Sequence, residues 1–325
     1  PDAVGFSQPG GEFFTFVVGL PAGTIAQPTW QERLWDTIKD NGIVVLPIIV
    51  FVIMYLIWRK YGKDSKGRGT IITQYEPPKD LSPLYMGTLV DGKLDNRDLA
   101  AEIIYLATQG FLKIEHIETK ILLWFKGKDY QLTKLKEFNS SIGGATKEIF
   151  SALFASNAEV KLSDFKRDTT FGKKIMEAKS GVFKDLKTQG YYKNNPSVIK
   201  VVFVVVAIFV GVFAVIISSS FGAIGVVSGI VTGLIILIFG LLMPARTKKG
   251  AEMREYILGL KLYLSVAEKD RLNFTDSPEK KPERFEMLLP YAIALGVEKQ
   301  WAKQFEGIYN VQPNWYSGSN GQAFN

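Results

Sequence analysis

The side chains best able to carry out chemistry are few in this sequence. It contains a single histidine, His116, and no cysteine among 325 residues. Without cysteine there is no disulfide and no thiolate ligand or nucleophile, and one imidazole leaves no histidine pair for a metal-dependent hydrolase. His116 has no accompanying nucleophile motif, and Glu12 has no neighbouring carboxylate with which to share acid and base roles. We therefore predict a protein that is not an enzyme and has no metal or other cofactor.

Glycines near the charged segments do not form a phosphate-binding loop. Gly62, Gly67 and Gly69 follow an apolar segment instead of a strand, and their spacing matches neither a Walker nor a Rossmann loop. A nucleotide site is not predicted.

A second set of small residues lies inside two apolar segments. In membranes, small residues on one helix face let a neighbouring backbone approach closely. We predict that the set packs the two segments into a hairpin; the alternative is self-association of two chains through the same glycines. The set comprises Gly225, Gly229 and Gly233 at four-residue spacing, and Ala207, Gly211 and Ala214 in the preceding segment.

Three apolar segments are predicted to be transmembrane helices. Residues 198–217 and 221–243 each have the ~20 residues that a helix needs to cross ~30 Å of hydrocarbon. Only three serines separate them, which predicts an antiparallel hairpin. Residues 41–59 are shorter and contain Pro47, but Trp58 and the cations that follow are typical of a membrane rim.

The cations near the ends of these segments predict the orientation. With three crossings, all the clusters fall on one side, and the positive-inside rule assigns that side to the cytoplasm. The N-terminus is then outside and the C-terminus inside. The clusters are Arg59, Lys60, Lys63, Lys66 and Arg68, then Lys187, Lys193 and Lys200, and finally Arg246, Lys248 and Lys249.

Residues 1–40 are predicted to be the end of an extracytoplasmic β domain. The run 10–21 is aromatic and β-branched, bounded by glycine and proline, which indicates a strand. A single strand cannot bury a core. Because the chain also opens on Pro1, we expect a fragment of a longer protein; the alternative is a short exposed tail.

Residues 60–197 are predicted to form a cytoplasmic winged-helix-like domain. Segments 106–113 and 186–193 share one pattern, in which an amphipathic helix ends at Thr-Gln-Gly and an aromatic-led strand follows. A winged helix meets its wing in this way. We therefore predict two such modules in tandem.

Winged helices often bind nucleic acid, and the charges favour this only weakly. In the first module the predicted exposed residues of the recognition helix are Asp98 and Glu102 beside Arg97, and the carboxylates would repel phosphate. The second module mixes lysines with acids, as solvated or lipid-facing surfaces do. A solvated or lipid-facing surface is the preferred interpretation of these charges, and the alternatives are a face that contacts a protein and one that binds nucleic acid.

Residues 244–309 are predicted to form a cytoplasmic helical segment. Its large apolar side chains, including Tyr291, Trp301 and Phe305, need cover that the first cytoplasmic segment can supply. Residues 310–325 are rich in Asn, Gly, Ser and Gln and are predicted to be disordered.

Several motifs together resemble one known family, the domain-of-unknown-function 2207 family of bacterial and archaeal membrane proteins. The resemblance extends from about Tyr75 to Tyr309. It implies a prokaryotic cytoplasmic membrane and an extracytoplasmic β domain, and it implies no activity or catalytic residue. The motifs are Glu76-Pro77-Pro78, Gly87-Thr88-Leu89-Val90-Asp91-Gly92, Gln109-Gly110-Phe111-Leu112, Thr247-Lys248-Lys249-Gly250 and Leu289-Pro290-Tyr291-Ala292-Ile293-Ala294-Leu295-Gly296-Val297.

The expected fold class is thus an α+β membrane protein with three transmembrane helices, tandem winged-helix-like modules and a C-terminal helical segment. The expected function is to couple an extracytoplasmic β domain to cytoplasmic interaction modules, as a scaffold or signal relay. The alternative is a membrane-tethered nucleic-acid-binding protein. Expected partners are membrane lipids and a protein bound by the cytoplasmic domain, and nucleic acid is not expected. A second copy of the chain, bound through the glycines of the third helix, is the alternative use of those residues.

Overall fold

The computed structural model describes residues 29–40, 42–122, 125–138, 143–166, 168–266, 282–305 and 313–318. This part of the chain is mostly helical and contains one small sheet. The helices are α1 (Trp30–Asp40), α2 (Val45–Ile57), α3 (Pro83–Asp91), α4 (Asn96–Thr108), α5 (Gly144–Leu153), α6 (Thr169–Thr188), α7 (Pro196–Ser218), α8 (Gly222–Leu242), α9 (Lys248–Ser265), α10 (Pro282–Ala294) and α11 (Glu298–Lys303). The strands are β1 (Leu112–Leu122), β2 (Phe125–Lys134), β3 (Glu159–Lys161) and β4 (Tyr316–Ser317).

Within the described ranges, two continuous helical segments are long and apolar enough to cross a membrane, Gly42–Gly62 and Pro196–Leu242. The first contains α2. The second reverses direction through a 3-10 turn at Ser219–Phe221, so that α7 and α8 lie side by side and antiparallel. Their backbones meet where Gly211 faces Gly233.

Helix α2 packs against α8 and runs in the same direction. At the start of the first segment the Ser228 hydroxyl donates a 2.7 Å hydrogen bond to the carbonyl oxygen of Ile43. Further along, the rings of Phe51 and Phe239 meet edge to face with centroids 5.5 Å apart. The neighbours of α8 therefore run parallel to it on one side and antiparallel on the other.

The outer surface of these helices is apolar. Val201, Val205, Ile208, Phe209 and Val212 of α7 are all exposed, Phe209 by 72%. A soluble protein rarely exposes so much contiguous apolar surface. This face is suited to contact with lipid tails.

Apart from α1, the remaining elements form one α+β domain around a single core. The sheet order is β3-β2-β1-β4, with β1 and β2 antiparallel and β4 parallel to β1. Helices α3 and α4 precede the membrane hairpin and α10 follows it, and Tyr105 of α4 meets Tyr291 of α10 at a centroid distance of 6.0 Å. Leu106, Leu186 and Trp301 lie in the same buried cluster. Segments separated by the membrane hairpin thus fold together.

In both sequence repeats the helix ends in the same way, but the structure that follows the helix differs. Gly110 and Gly190 both have positive φ, and the residue after each donates its N–H to the carbonyl oxygen five residues back at 2.9 Å. The β1–β2 hairpin follows Gly110, whereas a single bridge from Tyr192 to Arg246 follows Gly190. Strand β3, which precedes the second repeat in the chain, pairs with β2, which follows the first. The repeats share one sheet and one core, so they are not two independent tandem modules.

Helix α1 lies within the range 1–40 that the sequence assigns to a β domain. The Thr29 side chain accepts the Glu32 N–H, and the Glu32 carboxylate accepts the Thr29 N–H, which is a capping box. This Thr-x-x-Glu signal could have predicted the helix. The strand predicted at 10–21 lies outside the described residues.

Part of the tail predicted to be disordered is ordered. Trp315 is 6% exposed, its indole N–H donates to Glu286 at 2.8 Å, and its carbonyl oxygen accepts the Ile114 N–H at 2.8 Å. The prediction of disorder is wrong for residues 313–318, because one large ring and a free sheet edge outweigh the polar composition around them.

Candidate functional site

Three chain segments meet at one place, which we call the junction. They adjoin the ends of α2, α7 and α8 that the sequence predicts to be cytoplasmic. Backbone bonds tie the segments together: Lys193 N–H donates to Ala245 at 3.0 Å, and Thr247 N–H donates to Tyr191 at 3.0 Å. The junction comprises residues 62–69, 189–200 and 243–250.

Arg246 is the centre of the junction, and its side chain is only 13% exposed. Its guanidinium donates to the carbonyl oxygens of Leu89 and Val90 at the end of α3, each at 3.0 Å. It also forms an ion pair with Asp64 at 2.9 Å, and the Arg246 backbone N–H donates to the same carboxylate at 2.6 Å. The guanidinium lies over the ring of Tyr192 at 5.7 Å. One side chain therefore joins the segments after α2 and α8 to the end of α3.

Two further cations bind the same helix end. Helix α3 stops at Gly92, whose φ is 73°. The Lys200 ammonium, near the start of α7, donates to the carbonyl oxygen of Gly92 at 2.9 Å, and Arg254 of α9 donates to that of Val90 at 3.0 Å. Together with Arg246 these cations offset the partial negative charge of the last carbonyls of α3.

The end of α6 is bound by residues that follow α8. The Thr247 hydroxyl donates to the carbonyl oxygen of Gly190 at 2.6 Å, and the Lys249 ammonium donates to that of Gln189 at 2.8 Å. Lys249 also lies over the ring of Tyr191 at 4.7 Å. The C-terminal ends of α3 and α6 thus both accept hydrogen bonds from side chains in segments that are continuous with the membrane helices. A shift of those helices would strain or break these hydrogen bonds.

Sequence reasoning missed this role of Arg246 and Asp64. The cations after each apolar segment were interpreted only as markers of orientation. Their carbonyl partners are more than 100 residues away, at positions 89, 90 and 92. No local pattern encodes contacts of that range.

The prediction that Asp98 and Glu102 are exposed on α4 is wrong, since both are fully buried. Glu102 accepts hydrogen bonds from the Ser82 hydroxyl at 2.8 Å, the Leu84 N–H at 3.0 Å and the Thr146 hydroxyl. Burial raises the pKa of Glu102 despite these donors. Its carboxylate binds the first turn of α3 and so has a structural role.

Asp98 forms a capping box at the start of α4. One carboxylate oxygen accepts the Asp95 N–H at 2.9 Å. The other faces Gly87 of α3 and has no hydrogen-bond donor among the described residues. Burial raises the pKa of Asp98 to about 6.

Replacing Asp98 with asparagine should stabilise the protein at neutral pH. The raised pKa means that the folded state binds more protons than the unfolded state between about pH 4 and 6, so stability falls as pH rises through that window. Asparagine keeps the oxygen that caps Asp95 and removes the buried charge. We expect a gain of about 1 to 2 kcal/mol at pH 7 and none at pH 4. Denaturant unfolding in detergent at both pH values measures the free energy of unfolding of the variant and of the unsubstituted chain. If the two differ by the same amount at pH 4 and pH 7, the prediction is contradicted.

The predicted set of small residues lies between α7 and α8. A Cβ added to Gly229 would be 2.6 Å from the backbone nitrogen of Val215, and one added to Gly233 would be 3.0 Å from the Cα of Gly211. A Cβ on Gly225 would overlap the carbonyl of Ser218. Side-chain volume is thus excluded from this contact. The residues in it are Gly225, Gly229 and Gly233 of α8 and Ala207, Gly211 and Ala214 of α7.

We predict that Gly229→Ile lowers the yield of folded protein without changing its oligomeric state. The new side chain would separate α7 from α8, and overpacking of this kind costs about 1 to 3 kcal/mol. Val227→Ile, at an exposed position of the same helix, is the control. If the glycines formed a dimer seam, Gly229→Ile would instead yield a folded monomer, and cysteine at Gly225 or Thr232 would give a strong disulfide-linked dimer in native membranes.

The other candidate residues do not assemble a reactive site in the described ranges. His116 is half-buried on β1, where its ring faces that of Tyr130 at 5.4 Å. Glu12 lies outside the described residues. Within the part of the chain that the structure describes, no three His, Asp or Glu side chains converge so as to hold a metal ion.

Comparison with known protein families gives a match over most of the chain. Residues 72–305 match the family model described as "Predicted membrane protein (DUF2207) C-terminal domain". No curated protein and no solved structure matches the chain. The matched range contains the membrane hairpin, most of the α+β domain and two of the three junction segments.

Proposed function

The chain belongs to the DUF2207 family of predicted membrane proteins, and we propose that it couples an extracytoplasmic domain to a cytoplasmic one without catalysing a reaction. The junction carries this proposal. The ends of α3 and α6 are held by residues directly continuous with α2, α7 and α8, so the α+β domain follows movements of the membrane helices. In this role the protein is a scaffold or a signal relay, and the α+β domain binds a protein partner.

The proposal includes three membrane crossings, with the N-terminus outside and the C-terminus in the cytoplasm of a prokaryote. Two observations support it. Helices α2 and α8 run parallel while α7 runs antiparallel to both, as three successive crossings require. The junction, with its cations Lys193, Arg246 and Lys249, gathers at one end of all three, as the positive-inside rule requires of the cytoplasmic side.

Single cysteines test the topology directly, because the chain has none of its own. Cysteine at Gln8 or Ser219 should react with a membrane-impermeant maleimide in intact cells. Cysteine at Ser65, Ser156 or Ser277 should react only after permeabilisation. Labelling of Ser156 from outside would overturn the three-crossing arrangement.

Nucleic-acid binding is the second candidate, favoured by exposed lysines on α6 such as Lys173, Lys174 and Lys184. Against it, α4 is covered by α10, and its exposed residues Asn96, Arg97 and Ala100 provide one cation. A salt titration of the full chain in nanodiscs on duplex DNA discriminates the two. Tight binding with a steep loss of affinity as salt rises would favour the nucleic-acid function.

A further inference from the structure

A cavity of about 670 Å³ opens beside the first turn of α7. Two of its walls are helix faces: Glu148 and Ser151 lie on α5, while residues 174, 177, 181 and 184 follow helical spacing along α6. Asn195 and Val198 form the third wall. The third wall belongs to the junction segment 189–200, whereas the walls on α5 and α6 lie outside the junction.

Four charged side chains line the cavity, and their formal charges sum to zero. Lys174 and Lys184 supply two ammonium groups, and Glu148 and Glu177 supply two carboxylates. Among the residues that the structure describes, none of the four forms an ion pair or a side-chain hydrogen bond. The cavity thus presents unpaired charges of both signs to whatever occupies it.

The position of the cavity indicates which class of ligand can occupy it. Val198 begins the apolar run of α7 and is 55% exposed, and Asn195 caps the helix by accepting the Ser197 N–H at 3.0 Å. In a membrane, the first apolar residues of a spanning helix lie at the boundary between lipid tails and headgroups. A cleft lined by both residues is therefore at headgroup level.

We propose that this cavity binds the headgroup of a phospholipid that carries a primary ammonium group. Lys174 and Lys184 contact the phosphate, and Glu148 and Glu177 accept hydrogen bonds from the ammonium. A primary ammonium has three N–H donors for these carboxylates, whereas a trimethylammonium has none. A headgroup with only negative charge would satisfy the lysines and be repelled by the glutamates.

Native mass spectrometry of the full chain in detergent tests the proposal by titration with phosphatidylethanolamine, phosphatidylcholine and phosphatidylglycerol of identical acyl chains. We expect the ethanolamine lipid to bind about fivefold more tightly than the other two, as two exposed ion pairs permit. Glu148→Gln with Glu177→Gln should abolish that preference. Lys174→Gln with Lys184→Gln should weaken all three lipids, because all three carry the phosphate.

Control variants are Glu115→Gln on β1 and Lys173→Gln on α6, which are exposed and do not line the cavity. They should leave the preference unchanged. Equal binding of all three lipids, or a preference that survives the double glutamate variant, would overturn the proposal. Soluble phosphoethanolamine that binds as tightly as the lipid would overturn the lipid assignment. The inference requires only that α7 enters a membrane at Val198, so its failure would leave the proposed coupling function untouched.

Discussion

Replacing Arg246 with alanine is expected to lower the free energy of unfolding by about 3 kcal/mol, since it removes several charge-assisted hydrogen bonds from a mostly buried position. The carbonyls of Leu89 and Val90 each lose a hydrogen bond from the Arg246 guanidinium, and Asp64 loses its ion-pair partner. Arg254 still donates to Val90, so α3 should fray and not unfold completely. Pulse proteolysis of the full chain in mild detergent measures the loss.

Two matched variants separate this role from a general effect of charge. Arg246→Lys keeps the charge but cannot present the forked donors, and it should cost about half as much. Lys248→Ala removes an exposed cation two residues away, whose distance to Glu252 is 4.0 Å, and it should change stability by less than about 0.5 kcal/mol. Equal losses for Arg246→Ala and Lys248→Ala would contradict the special role of Arg246.

Replacing Trp301 with alanine is expected to destabilise the α+β domain by about 3 to 5 kcal/mol, because the side chain is fully buried and leaves a large cavity. Its ring lies 4.8 Å from that of Phe305 and 5.7 Å from that of Tyr263, and its indole N–H donates to the carbonyl oxygen of Phe285 at 3.3 Å. Since these elements share one core with α3 and α4, the effect should spread to the segment before the membrane hairpin.

Limited proteolysis of the full chain measures whether the destabilisation extends to the segment before the membrane hairpin. In Trp301→Ala the region 69–195 should be cleaved faster than in the unsubstituted chain. Met176→Ala, at a highly exposed position of α6, is the control and should change nothing. Unaltered protease resistance of 69–195 in Trp301→Ala would mean that the C-terminal segment folds as an independent module.

The apolar helices could be predicted from the sequence because their signal is local. The ranges 198–217 and 221–243 agree closely with α7 and α8, since two apolar runs with a single charge, Lys200, and a three-serine gap specify both helices and their turn. The glycine that ends α4 and the one that ends α6 were also identifiable, because a positive φ favours glycine whatever the tertiary context.

The assembly of the domain could not be predicted in the same way. Asp98 and Glu102 share a helix face with Tyr105. That face is buried against α3 and α10, and Thr146 of α5 donates a hydrogen bond to Glu102, although the charges suggested exposure to solvent. Whether a carboxylate lies inside depends on donors such as Ser82 and Thr146, which only the folded chain brings close. The partners of Arg246 are equally distant along the chain.

Mechanical coupling across the junction is tested most directly by the distance between spin labels on Ser220, in the turn of the hairpin, and Ser156, in the α+β domain. Both residues are exposed, and the absence of native cysteine lets two introduced cysteines carry the labels. Pulsed electron paramagnetic resonance of the full chain in lipid nanodiscs should give one narrow distance distribution, which broadens when Arg246→Ala is added. A broad distribution in the otherwise unsubstituted chain would show that the domain moves independently of the membrane helices, and it would contradict coupling through the junction.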